Sequence, residues 1–192
     1  LANGGARMSQ DAAKTTSDEV DERQLELARA EGEAYTRSLD YMIEVVADAG
    51  GDMRTAHDYV VGYAQEEAEG MYRLESEGEF EWTEPDDENC HLEVAVTDAA
   101  DGRFVPELDV RATLDPADDD AAAVGPFEVP FVWHPGLFHY GTNVEVPGEG
   151  EYDLTIEIDP PTFMRHDEEN GDRYGERVEV TFESVEIETG QD

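Results

Sequence analysis

The sequence predicts a mainly β protein: an immunoglobulin-like antiparallel β-sandwich over residues 79–189, preceded by an N-terminal α-helical hairpin over residues 19–76. Three observations lead there. Apolar residues recur at three- and four-residue spacing before Gly78, which is helical periodicity. After Gly78 they alternate with polar residues, which is the period of a half-buried strand. Turn clusters such as Pro85–Asp86–Asp87, Asp101–Gly102, Asp115–Pro116, Pro147–Gly148, Pro160–Pro161 and Asn170–Gly171 then cut the second part into short segments, the punctuation of a sandwich.

Taken in chain order, residues 1–18 are small, polar and Gly-containing and read as a flexible leader. A mature exported protein and a cytosolic protein can both begin so. The first helix carries Leu39, Met42, Ile43 and Val46 on one face, and Gly50–Gly51 stop it. Asp52 is the expected N-cap of a second helix, whose inner face would hold Ala56, Val60, Tyr63, Ala64, Ala68 and Met71. His57 falls in that hairpin and reads more simply as a partly exposed histidine than as a ligand. The strands expected beyond it are "EFEWTEP", "HLEVAVT", "LDVRATL", "TNVEVP", "YDLTIEI" and "RVEVTFESVEIE". The stretch "DPADDDAAAVG" reads as a solvated loop.

Charge narrows the setting. Fifty acidic residues against twelve basic ones give −38, and of the twelve only Lys14 is a lysine. The acid is spread among Val, Ile, Leu, Phe and Tyr instead of forming blocks, so it suits a folded protein with an acidic surface. Such a surface is stabilised by screening in near-saturating salt. No basic patch exists to displace counterions, so nucleic acid is not an expected partner. A single cysteine, Cys90, excludes an intramolecular disulfide framework, and no apolar run is long enough for a membrane span.

Four of the five histidines lie in the β part. His91 and Glu93 are two apart on a strand and share a face, while Leu92, Val94 and Val96 take the core face. Cys90 alternates with His91 and is expected as a buried thiol. His134, His139 and His166 sit in loops or at strand ends, which a sandwich can gather at one rim. Imidazoles with a carboxylate form a borderline N/O set for Fe, Cu, Zn, Ni or Mn. The residues alone leave a metal site and ordinary packing both open.

Five stretches, in order, resemble the periplasmic Fe(II)/copper-binding iron-transport family (Tp34/P19-like). "HLEVAV" is similar to its H-L-E-A-D-I strand, and "FVPELDVRATL" to its (M/V)-P-Y-L-T-V-x-Y-x-L segment. "HYGTNV" resembles H-Y-G-A-N-I/V, "GEYDLTIEI" resembles G-x-Y-x-L-T-F-x-I, and "RHDEENG" resembles R-H-x-D-E-E-T-G. Together they span residues 88–183, and the acidity would make this a haloarchaeal-type member. The resemblance implies that His91, Glu93, His139 and His166 bind metal. The family also uses a Met just upstream of H-Y-G; here "PFVWHPGLFH" has one extra residue and places Phe131 in that position. His134 is either a replacement ligand or a rim histidine that packs, and Met164 is a weaker substitute. Asn143 and Tyr140 either orient the ligands or shape the turn. Asp167, Glu168 and Glu169 read as turn residues, and the resemblance gives Arg165 a structural salt bridge.

The resemblance further implies an extracytoplasmic protein, secreted or lipid-anchored to the cell surface, that binds Fe2+, with Cu2+ able to compete and Zn2+ or Mn2+ also fitting. It implies a homodimer with the site near the subunit interface, and a membrane iron permease as partner. No nucleophile–base pair, phosphate loop or nucleotide fingerprint is present, so no catalytic step is expected. The alternatives are a cell-surface interaction or structural sandwich that has lost the site, and a copper redox or storage protein. Imidazole ligation predicts that affinity falls as pH drops through ~6.5.

Overall fold

A computed structural model describes residues 13–118 and 120–192. One helix and eleven strands form two facing sheets and a separate hairpin. Helix α1 (Glu22–Tyr41) begins at a capping box: the Asp21 carboxylate accepts from Gln24 N at 2.8 Å, and the Gln24 side chain accepts from Asp21 N at 3.0 Å. A single wider turn, Met42–Val46, continues it to an extended C-cap at Ala47, and Gly50 then sits at positive φ.

The expected second helix does not form. Residues 51–66 are instead a β-hairpin, β1 (Gly51–Ala56) and β2 (Tyr59–Glu66), reversing at His57–Asp58 with His57 at positive φ. Asp52 therefore lies within β1 and caps no helix. The reason for the misreading is burial on both faces of β2. Tyr59, Val61 and Tyr63 enter the sandwich core, while Ala64 meets Leu39 and Met42 of the helical segment. A strand buried on both sides loses its alternation and cannot be told from a helix by apolar pattern alone. His57 is exposed, as expected, but in a turn, where its Nδ1 is 3.1 Å from Glu176.

Next come β3 (Met71–Ser76) and β4 (Glu79–Thr83), paired only with each other. The remaining strands are β5 (Cys90–Asp98), β6 (Val110–Pro116), β7 (Val124–Glu128), β8 (Phe131–Val132), β9 (His139–Val144), β10 (Gly150–Ile158) and β11 (Val178–Ile187). One sheet runs β1-β2-β5-β9-β8 and the other β11-β10-β6-β7, and every pairing within them is antiparallel. The sandwich therefore begins at Gly51, well before residue 79. Leu92, Val94 and Val96 of β5 face Ala112 and Leu114, Leu154 and Ile156, and Phe182 across the core. Cys90 joins them as a fully buried thiol, pushed up to about 12 by burial.

Helix α1 lies on the outer face of the five-stranded sheet. Gly32 makes this approach possible: a Cβ there would stand 1.7 Å from the Asp101 carbonyl oxygen. The Tyr35 hydroxyl donates to the Phe138 carbonyl and so ties the helix to the β8–β9 loop. Residues 1–12 of the expected flexible leader lie outside the described residues. Its last part is anchored: Lys14 pairs with Asp98 and Asp101 at 3.1 and 2.6 Å, Thr15 N donates to Asn170, and Ser17 donates to Asp167.

Candidate metal centre

Alternation on β5 sends His91 and Glu93 to the outer face of the sheet, opposite the core. The adjacent strand β9 places His139, Gly141 and Asn143 on that same face, with Asn143 opposite His91 and Gly141 opposite Glu93. The face is not solvated. Helix α1 and the β2–β3 connection cover it, and His91, Glu93 and His139 are all at least nine-tenths buried. Their donor atoms lie within 4.8 Å of one another, the one such group of histidine, cysteine and carboxylate donors among the described residues.

Gly141 creates the space between them. A Cβ at that position would meet His91 Nε2 at 3.1 Å and His139 Nε2 at 3.2 Å. Each imidazole is held by its other nitrogen. His91 Nδ1–H donates to Asn143 Oδ1 at 2.9 Å, and His139 Nδ1–H donates to the Leu137 carbonyl at 2.8 Å. Both Nε2 atoms are thereby left as lone-pair donors, the tautomer a metal ligand requires. His139 Nε2 is 3.2 Å from Glu93 Oε1, yet it has no hydrogen-bond partner, and neither does Glu93 Oε2. Buried polar atoms are ordinarily satisfied, so unpartnered donors converging on one point fit a cation.

Burial sets the protonation of the trio. It pushes Glu93 up to about 8, with help from the nearby Glu66 and Glu69 carboxylates. It pushes His139 down to about 4, reinforced by His91 and His134 and opposed by the Leu137 carbonyl. Burial also lowers His91, against the raising effects of Asn143 and Glu69. At neutral pH the imidazoles are ready to ligate, and Glu93 is the group that must lose a proton. The proton competition anticipated for histidine near pH 6.5 thus moves to a carboxylic acid.

The other expected ligands are placed differently. His134 is close, its ring centroid 5.8 Å from that of His139. Its Nδ1 accepts from Gly136 N and Leu137 N at 3.0 and 3.1 Å, which leaves the proton of the neutral ring on Nε2. His166 is apart from the trio within this chain: its side chain is 91 % exposed and pairs with Glu19 at 2.9 Å. Met164 is almost fully exposed. Phe131, at the family's Met position, lines the cleft above His139. Asn143 orients His91 as anticipated, and it also accepts from Glu69 N and donates to the Glu69 carbonyl. Tyr140 does not orient a ligand; it points into the core, donating to Val105 O and accepting from Leu108 N. Among the described residues Arg165 makes no ion pair and instead donates to the Pro161 and Arg173 carbonyls. Asp167 is a turn residue as expected, accepting from Glu169 N and Asn170.

Glu66 and Glu69 were not foreseen. Glu66 faces His91 across the β2–β5 pairing, and burial with the Glu69 carboxylate pushes it up to about 7. No local signal marked them, because β2 is buried on both faces and only its pairing with β5 brings them to the site.

A model of a family described as Fe2+ transport protein matches residues 55–186. UPF0423 protein BAB2_0840 of Brucella abortus is 34% identical over 87 residues, which cover 42% of this chain and 47% of that protein. A Brucella suis counterpart, UPF0423 protein BRA0381/BS1330_II0378, matches equally. The chain thus spans about half the length of the curated relatives it matches. Among solved structures, FetP of uropathogenic E. coli strain F11, expressed in the periplasm, superposes with a TM-score of 0.57 at 21% identity, over 73% of this chain and 95% of that one. Copper-reconstituted P19 of Campylobacter jejuni gives 0.55 at 20% identity, over 71% and 95%. At such identities these likenesses establish the fold. No described helix is long and apolar enough to cross a membrane.

Proposed function

The chain belongs to the Fe2+ transport protein family, and from that premise we propose that it binds a divalent transition metal as cargo at His91, Glu93 and His139. The observation carrying this is the unpartnered, buried His139 Nε2 and Glu93 Oε2 beside His91 Nε2, around the gap left by Gly141. Two imidazoles and one carboxylate with open positions suit Fe2+, and the general affinity order lets Cu2+ compete for the same donors. Zn2+ and Mn2+ fit the same donors. His134 is the added histidine nearest to hand, and would ligate through Nε2 only by giving up the two backbone hydrogen bonds at Nδ1, which place its proton on Nε2. His166 would have to come from a second copy, consistent with a homodimer whose site lies near the subunit interface.

The family setting supports iron acquisition outside the cytoplasm, with metal passed to or from a membrane permease, and the −38 charge supports a high-salt medium. The role is binding and transfer; the trio offers no nucleophile. The test is thermal unfolding in molar salt with stoichiometric Fe2+, Cu2+, Zn2+ or Mn2+. A site of micromolar affinity or better raises the melting temperature, because only the native state binds. His91→Ala and His139→Ala should each abolish the rise. A rise that survives both substitutions would mean diffuse binding to surface carboxylates and would overturn the proposal, as would no rise at all, the behaviour of a sandwich without a metal function. Electron paramagnetic resonance of the Cu2+ form should show imidazole nitrogen ligands; a spectrum of oxygen ligands alone contradicts the assignment.

A further inference from the structure

His139 is the least supported by the sheet of the three candidate ligands. The register of β5 with β9 ends at Tyr140, so the backbone of His139 is paired only with Val132, in the two-residue strand β8. Residues 133–138 before it belong to no strand or helix. An edge strand of that length frays on its own. Yet His139 is 2% exposed and aimed, with Nδ1–H on the Leu137 carbonyl at 2.8 Å and Nε2 at 3.2 Å from Glu93. Something other than the sheet must hold Leu137 and Phe138.

Helix α1 does so. It lies before residues 55–186, the stretch that the Fe2+ transport family model matches. The Tyr35 hydroxyl donates to the Phe138 carbonyl, 103 residues away in the chain. Leu137 is buried in one cluster with Leu39 and Met42 of the helical segment. The Tyr35 ring is itself set, tilted against Phe104 at 5.7 Å, and Phe104 lies against Tyr140 at 5.3 Å. Burial and then the Glu93 carboxylate push its phenol up, so the hydroxyl keeps its proton to donate. The same two loop residues thus meet the helix on one side and present His139 on the other. Resting on the metal-binding reading above, we propose that Tyr35 is a positioning residue of the metal centre: its hydrogen bond to Phe138 fixes the backbone that presents the His139 imidazole. Where that backbone is loose, only a fraction of the protein has His139 in place, and apparent metal affinity falls in proportion to that fraction.

The test uses the full chain in molar salt, titrated with Cu2+ against a competing chelator. Tyr35→Phe keeps the ring and removes only the donor. It should weaken Cu2+ binding about tenfold, and electron paramagnetic resonance should show a second Cu2+ species with one imidazole nitrogen fewer. In the metal-free protein, nitrogen-15 spectra of the imidazoles should show His139 moving from the Nδ1–H tautomer toward a mixture. Leu25→Ala is the control. It removes a buried anchor of the same helix, ~15 Å along its axis from Tyr35, and should leave Cu2+ affinity within about twofold and the spectrum unchanged. Leu39→Ala, which withdraws packing from the Leu137 cluster, carries the same expectations as Tyr35→Phe if that variant does not fold. If Tyr35→Phe binds Cu2+ as wild type does, with the same spectrum, the positioning proposal fails while the metal site stands. If Leu25→Ala weakens binding as much as Tyr35→Phe, the helix is only a cover and the proposal is overturned. If wild type binds no Cu2+, the functional reading fails and this proposal with it.

Discussion

Replacing Glu93 with glutamine keeps the shape of the site and removes its titrating proton, and the metal-free protein should become more stable for it above neutral pH. Glu93 is only 4% exposed and is lifted from 4.5 to about 8, first by burial and then by Glu66 and Glu69. Between those two values the native state holds a proton that the unfolded chain has released. Native stability therefore falls as pH rises from 4.5 and levels off once the folded group also ionises, above about 8. At 1.36 kcal/mol for each pH unit, the loss is about 3 kcal/mol by pH 7 and approaches ~5 kcal/mol above pH 8. That is a large share of a typical stability of ~5–15 kcal/mol. Glutamine does not ionise and should escape the loss. The assay is urea unfolding of chelator-treated wild type and Glu93→Gln at fixed molar salt, from about pH 5 to pH 8.5. The variant's advantage should grow with pH; the general repulsion of the acidic surface is common to both proteins and cancels in the difference. With metal present the order should reverse, because the ion takes the anionic carboxylate and wild type gains its binding energy. A stability difference that stays constant across that pH range would refute the protonation argument. So would equal metal affinity of the two proteins.

Metal binding should release close to one proton at pH 7, with affinity rising about tenfold per unit up to pH ~8 and then flattening, measured by competition with a chelator of known constants. A dependence centred instead near pH 6.5 would return the competition to the histidines. Gly141→Ala puts a methyl 3.1 and 3.2 Å from the two Nε2 atoms, and should cut metal affinity by at least about tenfold by forcing the rings apart, read by calorimetric titration. Asn143→Ala frees the Nδ1 of His91 and unties Glu69, and a loss of about 10–100-fold in metal affinity is expected with the fold retained by circular dichroism. Gly32→Ala drives a Cβ against the Asp101 carbonyl and should destabilise by about 1–3 kcal/mol in the same urea assay while lifting the helix from the sheet.

The ligands that strand periodicity could assign came from the region where one face of a strand is buried and the other is chemically distinct. Leu92, Val94 and Val96 mark the core side of β5, so His91 and Glu93 must share the other. The H-Y-G motif singles out His139, and the structure supplies a reason for its glycine: Gly141 is the space between two imidazoles. The first helix was legible because Leu39, Met42 and Ile43 recur at helical spacing before the Gly50–Gly51 stop; its capping box at Asp21 and Gln24 was not read from the sequence. Over β2 the same reasoning failed, since an apolar run packed on both sides has no period of two left to read. That error hid Glu66 and Glu69, which reach the site only because β2 pairs with β5.

By itself, then, the sequence determined the sandwich, the acidic surface, the family, and the local pairing of His91 with Glu93. These depend on short-range alternation and on residue types, which need no knowledge of neighbours. Tertiary structure decided which distant groups share one dry volume. It brought His139 to Glu93 across a strand pairing, covered that face with helix α1, and left His166 exposed elsewhere on the chain. It also raised the Glu66 and Glu93 carboxyls and lowered the His91 and His139 imidazoles by burial, and set an aromatic hairpin beside the cleft that the two histidines line. The physical reason is that desolvation and coordination are properties of a volume enclosed by several elements, and no single stretch of chain encloses one.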